Sequence, residues 1–206
     1  MKPLPTMLMV ATCALGMTMV ALGAPPVRDP DWPCEQIKVS ELSLGAVWAG
    51  PPVEPYADAW AQDKQVADLM GRLAQRRMPV EQAQAEITAF AQQAGEGRQA
   101  KLLALFAGLY ATLDRERGSV MAGLDRIGRA QKDLAQSIRA DMERLRTLQS
   151  AGESDEKQAG ELAGRLGWET RIFEDRRQSL ITACAVPSII EQRLFALGRT
   201  VQRALE

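Results

Sequence analysis

Between Trp168 and Leu180 the residue types and spacing come nearest to acid–base chemistry: Glu169, Glu174 and Asp175 alternate with Arg171, Arg176 and Arg177. Two carboxylates facing each other across a cleft are the machinery of glycoside hydrolysis. Glu174, however, has Arg171 three residues before it and Arg177 three after it, which is the spacing of ion pairs along a helix surface. The chain contains no histidine, so the commonest general base and the usual zinc, copper and haem ligand are missing. Neither a Ser-His-Asp nor a Cys-His nucleophile can be assembled, nor the ExxH half-sites of di-iron bundles. No glycine-rich phosphate loop follows a strand, because no segment reads as a strand. The expectation is a protein that is not an enzyme, with no catalytic residue, no metal and no cofactor.

The cysteines carry a different chemistry. Met1 to Ala24 opens with Lys2, runs uncharged from Leu4 to Leu22 and ends in small residues, the pattern of a secretory signal peptide spanning 1–23. Cleavage after Gly23 removes Cys13 and leaves Cys34 and Cys184, which an exporting compartment pairs as a disulfide. Closing a loop of about 150 residues is worth up to about 5 kcal/mol on the chain-entropy model. If the segment is retained, its apolar run is long enough to anchor the chain in a bilayer, and the protein becomes a membrane-tethered spacer. The expected setting is the periplasm.

Polar residues in an apolar stripe mark the third feature. Tyr110, Leu113, Val120, Leu124, Ile127, Leu134, Ile138, Leu145 and Leu148 follow one alternating three-and-four spacing, broken at that register by Arg117, Gln131 and Asp141. Such a stripe is the seam of a long coiled-coil-like helix, and polar residues in it commonly fix register or partner number. Gln131 and Asp141 therefore either meet a second chain or polar partner, or line the edge of an ordinary bundle. Asp114 to Arg117 reads as a solvated face, with the alternative that Arg117 is buried at the seam and paired.

The elements that must hold these residues are helical throughout. Residues 24–55 form an irregular arm rich in proline with Trp32 and Trp48, whose rings need cover from the helical body. The alternative is an exposed docking segment, Val47 to Pro52. A single helical domain occupies 56–206. Its first part is a helical hairpin over 56–95, with one helix from about 56 to 77 and a second after Pro79 that turns Val80, Ala83, Ile87, Phe90 and Ala94 inward. The long helix covers about 98–149 and continues through Gly118, because the stripe keeps its phase there. A turn at Ser150 to Ser154, capped by Ser154, leads to a helix over 154–184 packed antiparallel to the long one. Pro187 pushes Val186 to extended geometry, and a last helix spans 187–205. The fold class is all-α: an elongated helical bundle with a long central helix in an antiparallel hairpin.

Balanced charge, 25 basic against 26 acidic side chains, leaves no excess to neutralise a phosphate backbone, and nucleic acid is not an expected partner. Asp31-Trp32-Pro33-Cys34 with Val47-Trp48-Ala49-Gly50-Pro51-Pro52, and Arg171-Ile172-Phe173-Glu174 leading through Cys184 to Ile190 to Leu197, resemble an exported family of uncharacterised alphaproteobacterial proteins. The resemblance covers most of the mature chain, implies a periplasmic setting and transfers no catalytic residue. The expected function is protein interaction or scaffolding through the long helical hairpin, with Arg117, Gln131, Asp141, Trp168, Arg171 and Glu174 as interaction residues. The partner is another periplasmic or envelope protein, or a second copy of the chain. The competing expectation is a small-molecule carrier whose apolar pocket is lined by Trp32, Trp48 and Trp60.

Overall fold

A computed structural model describes residues 29–150 and 155–206, and among them the chain is all-helical with no strand. In order the helices are α1 (Leu44–Val47), α2 (Ala59–Gln62), α3 (Lys64–Leu73), α4 (Val80–Gln93), α5 (Arg98–Ser150), α6 (Glu156–Ala183) and α7 (Val186–Leu205). The segment 1–23 expected as a signal, with Cys13, and the expected turn residues 151–154 lie outside the described residues, and the residue at the N-cap of α6 is Asp155 in place of the expected Ser154.

Helix α5 sets the length of the molecule. Its 53 residues run unbroken, about 80 Å at 1.5 Å per residue. Gly118 is exposed and costs about 1 kcal/mol relative to alanine, but Leu113, Arg117, Met121 and Leu124 on either side are buried on one face and hold the helical phase. Burial then falls along the helix. All eight residues from Leu102 to Leu109 are buried, the mark of a helix enclosed on every side. Helices α2, α3 and α7 pack around this end, and α4 packs on α7. Beyond Leu113 the buried set thins to Arg117, Met121, Leu124, Gly128 and Gln131, and past Gln131 α5 has no fully buried residue.

The antiparallel partner of the thinning half is α6. Leu124 shares an apolar cluster with Leu180 and the two cysteines, Gln131 reaches Phe173 and Asp141 reaches Arg165, so the numbering falls on α6 as it rises on α5. Leu162 and Leu166 supply the buried apolar residues nearer the tip.

Three local expectations are corrected. The single helix over 56–77 is a short 3-10 turn, Glu54–Tyr56, followed by α2 and α3. The break falls at Asp63, whose backbone is extended and whose carboxylate accepts hydrogen bonds from the Gln65 and Val66 N–H groups, capping α3. Within α4 the fully buried positions are Ala83, Ile87 and Ala91, with Ala94 buried at the helix end; Val80 and Phe90 are half-buried. Val186 is the first residue of α7 with Pro187 beside it in the first turn, rather than extended. Cys184 and Ala185 both stay in the right-handed helical region, so the chain turns the corner without an extended residue. Gly95 and Gly97, at φ 57° and 83°, end α4 as expected, a backbone region in which side chains are strained.

The last helix is the keystone of the body. Ile190, Leu194, Leu197 and Val201 are fully buried, and Arg193 is buried among them. Its guanidinium donates to the Leu73 carbonyl at 2.7 and 2.9 Å and to the Met78 carbonyl at 2.7 Å. Leu73 is the last residue of α3, so the positive charge meets the negative end of that helix and satisfies a carbonyl it leaves free. Burial pushes the guanidinium below its ordinary pKa, with Glu116 opposing the shift. A window of mean hydropathy 1.4 within Glu156–Leu205 is long and apolar enough to cross a membrane, and it contains core residues of α7.

Candidate interaction surface

The arm is strapped to α5 at several points, and together they form the foot of the hairpin. Cys34 and Cys184 are disulfide-bonded with their Cα atoms 5.6 Å apart. Next to them the Gln36 amide donates to the Cys184 carbonyl, and the Trp32 indole N–H donates to the Gln36 carbonyl at 2.8 Å. Lys38 joins Asp29 at 2.7 Å and Asp125 on α5 at 2.9 Å, and Lys132 reaches Asp31 at 3.2 Å. Donating to the Asp125 and Asp29 carboxylates holds the Lys38 ammonium above its ordinary pKa. The Lys38 hydrogen bond, reinforced by the Asp31 N–H, lowers that of Asp29. At Gly128 the backbone of the arm comes so close that an added Cβ would collide with the Asp31 carbonyl oxygen.

Arg117, flagged by its place in the apolar stripe, is the central link of that foot. It is only 2% exposed, pairs with Glu191 of α7, and donates to the Val39 and Ser40 carbonyls of the arm. One guanidinium thus ties α5, α7 and the arm together, its charge compensated by a carboxylate and two carbonyl dipoles. Tyr110, two seam positions earlier, donates its hydroxyl to the Leu42 carbonyl at 2.8 Å, and burial raises its pKa.

Gln131 and Asp141 are engaged within the chain, between α5 and α6. The Gln131 amide donates to the Phe173 carbonyl at 3.0 Å, while its own oxygen is buried without a partner. Asp141 accepts from Arg165 at 2.6 Å, and Arg165 lies 3.8 Å from Glu169. These residues sit at the edge of a two-helix seam. Their bonds cross from one helix to the other and define the register of the pair.

The outer surface of α6 carries the remaining sequence-flagged residues. Trp168 is 65% exposed, and the Arg171 guanidinium lies 5.3 Å from its ring centroid. Glu174 pairs with Arg177 at 2.7 Å, as the spacing of this charged stretch suggested. Ile172, one turn beyond Trp168, and Ile127, across on α5, are also exposed. Sequence reasoning missed Ile172 as a surface residue and placed Ile127 in the seam. The sequence reading grouped Ile172 with Leu162, Leu166, Phe173 and Leu180 on this helix; its position one helical turn from Trp168 was the available signal that it faces outward.

The three tryptophans line no common cavity among the described residues. Trp48 is buried and stacks on Phe106 with ring centroids 4.0 Å apart, and its indole N–H donates to the Pro51 carbonyl; within the Val47 to Pro52 segment Val47 and Trp48 are core cover, while Ala49, Pro51 and Pro52 are exposed. Trp60 lies against Gly108 and belongs to the same main core. Trp32 packs in the separate cluster around the disulfide. Between α3 and α4 there is a groove bordered by Asp68, Arg72, Glu86 and Phe90, and no tryptophan lines it. No group of acidic or cysteine residues among the described ones is placed to hold a metal ion.

No protein-family model, curated protein or solved structure matches this chain.

Proposed function

We propose that this chain is a non-enzymatic, exported interaction module that presents the outer half of the α5–α6 hairpin to another protein of the periplasm or envelope. One observation carries the reading: beyond Gln131 two helices continue for about 30 Å with, among the described residues, only each other for cover, and they expose Trp168, Ile172 and Met142. Large apolar side chains left in water at a projecting site mark contact surfaces, and tryptophan is the residue most enriched in binding hot spots. The clamp at the foot supports the reading, since a rigid base lets a slender hairpin present its face without extra ordering cost on binding. The resemblance of the arm and of the Arg171 to Leu197 stretch to exported proteins supports the compartment.

A photo-activatable cross-linker placed at position 172 in the full-length chain, expressed in its native host, tests the proposal. The expected result is a reproducible cross-link to one other protein, lost with Trp168→Ala and absent from a probe at Gln93 on α4. Equal labelling at positions 172 and 93, or no adduct at 172, would overturn it. An adduct containing two copies of this chain would assign the hairpin to self-association instead.

A further inference from the structure

At the foot of the hairpin a groove of about 440 Å³ runs between α5 and α6, floored by Ile127, Ala130, Leu180 and Ala183 and banked by Arg126 and Arg176. Neither arginine joins an ion pair among the described residues. Two uncompensated guanidiniums beside one apolar trough attract carboxylates more strongly than either would in open water, because the low-dielectric wall weakens screening. On α6 the groove-lining Arg176, Ser179 and Ala183 fall on the same flank as the exposed Trp168 and Ile172, at three- and four-residue spacings. From Trp168 to Ala183 that flank is about 22 Å long, the length of four helical turns.

We propose that this flank docks an amphipathic helical segment of a partner protein, its apolar residues recurring every three or four positions and its acidic residues meeting Arg126 and Arg176. This deepens the interaction reading above and rests on it. Length argues for a helix, since a small carboxylate would fill the groove and leave Trp168 and Ile172 bare. Charge argues against the chain's own residues 1–28, which carry Lys2 and Arg28 and no acid. It also argues against a second copy packed groove to groove, because a two-fold axis there gathers four guanidiniums.

A displayed library of random sixteen-residue segments, selected on the full chain and separately on the R126E/R176E variant, tests the proposal. Both arginines lie on the surface, so the variant is expected to keep the wild-type circular dichroism and Tm. Selection on the wild type is expected to enrich segments with Asp or Glu flanking leucine-like residues at helical spacing. The best of them should bind the variant about tenfold more weakly, and selection on the variant should turn to Lys and Arg. Enrichment without acidic bias, the same sequences from both selections, or no enrichment overturns the proposal; so does a tight complex of the chain with dodecanoate that displaces the selected segments. If the cross-linker at position 172 captures a partner while charge reversal changes nothing, the hairpin reading stands and the acidic-helix reading falls. If neither gives a signal, both fall.

Discussion

The two ends of α5 share one helix and differ in almost everything that surrounds it. Its first dozen residues are enclosed by α2, α3 and α7 and include eight consecutive buried positions, whereas its last twenty meet, among the described residues, α6 alone and bury none completely. The enclosed end uses its polar groups to close gaps between elements, as Arg193 does at the end of α3 and Arg117 at the arm. The free end uses them to set register, as Asp141 and Arg165 do between two helices. Stability is therefore concentrated in the body, and the hairpin keeps more of its apolar side chains in solvent. The same helix serves both because a continuous hydrogen-bonded rod passes rigidity from the one region to the other.

The largest expected effect sharpens this contrast directly. Phe106→Ala removes a fully buried ring from the body and should cost about 3–5 kcal/mol, while Leu148→Ala near the hairpin tip should cost less than about 1 kcal/mol, both read from urea unfolding. Comparable losses would mean that the tip is covered in solution.

Replacing both Cys34 and Cys184 with serine should cost about 2–5 kcal/mol. The loss should be accompanied by a change in Trp32 fluorescence, with amide hydrogen exchange near Asp141 left unaltered. Accelerated exchange at the tip would show that the clamp also holds the hairpin and would erase the division proposed here.

Buried and exposed arginines should differ in the same sense. Arg193→Leu strands the Leu73 and Met78 carbonyls and should destabilise by about 3 kcal/mol. Asp141→Leu breaks a pair whose arginine is half in solvent and should change stability by less than about 1 kcal/mol. Gln131→Leu should fall within about 1 kcal/mol of the wild type, because the oxygen it removes has no partner already. Thermal melts of the three variants suffice to rank them.

The smallest effect is that of pH on the arm. The Asp29 pKa is depressed below 3.8, so its contribution is present above that value and is lost as pH falls through the lower, folded pKa. The Lys38 pKa is raised above 10.5, so its contribution is full below that value and is lost as pH rises through the folded one. Trp32, whose ring lies 5.7 Å from the Lys38 ammonium, should report loosening at both extremes and a flat signal between them. A transition near neutrality would contradict the assignment.

How much of this was legible in the sequence follows from which forces act locally. The length of α5, its continuity through Gly118 and its antiparallel pairing with α6 were all visible, because a seam repeating over many turns outweighs one glycine. The Cys34–Cys184 bond was visible once Cys13 was assigned to the N-terminal apolar segment, because that left a single pair. Burial of Arg117 was foreshadowed by its register, but Arg193 was not, since an arginine beside Leu194 looks like the edge of an amphipathic helix until the end of α3 is found facing it. The break at Asp63 was hidden because its carboxylate competes with the helix through two hydrogen bonds that the apolar spacing does not register. The cover over Trp48 was anticipated, while the separation of the three tryptophans depended on how the arm wraps, which no local pattern encodes. The groove beside Arg126 and Arg176 exists only once the helices lie side by side.

The disulfide has a mechanical consequence. Joining residues separated by 150 positions, it makes everything from Glu35 to Ala183 a covalent ring outside the load path between the two chain ends. Tension applied at those ends runs from the arm straight through the sulfur bridge into α7, and the projecting hairpin carries none of it. Held in an optical trap, the oxidised molecule would extend only by its short outer segments, and the ring would pay out its length when a reductant cuts the bridge.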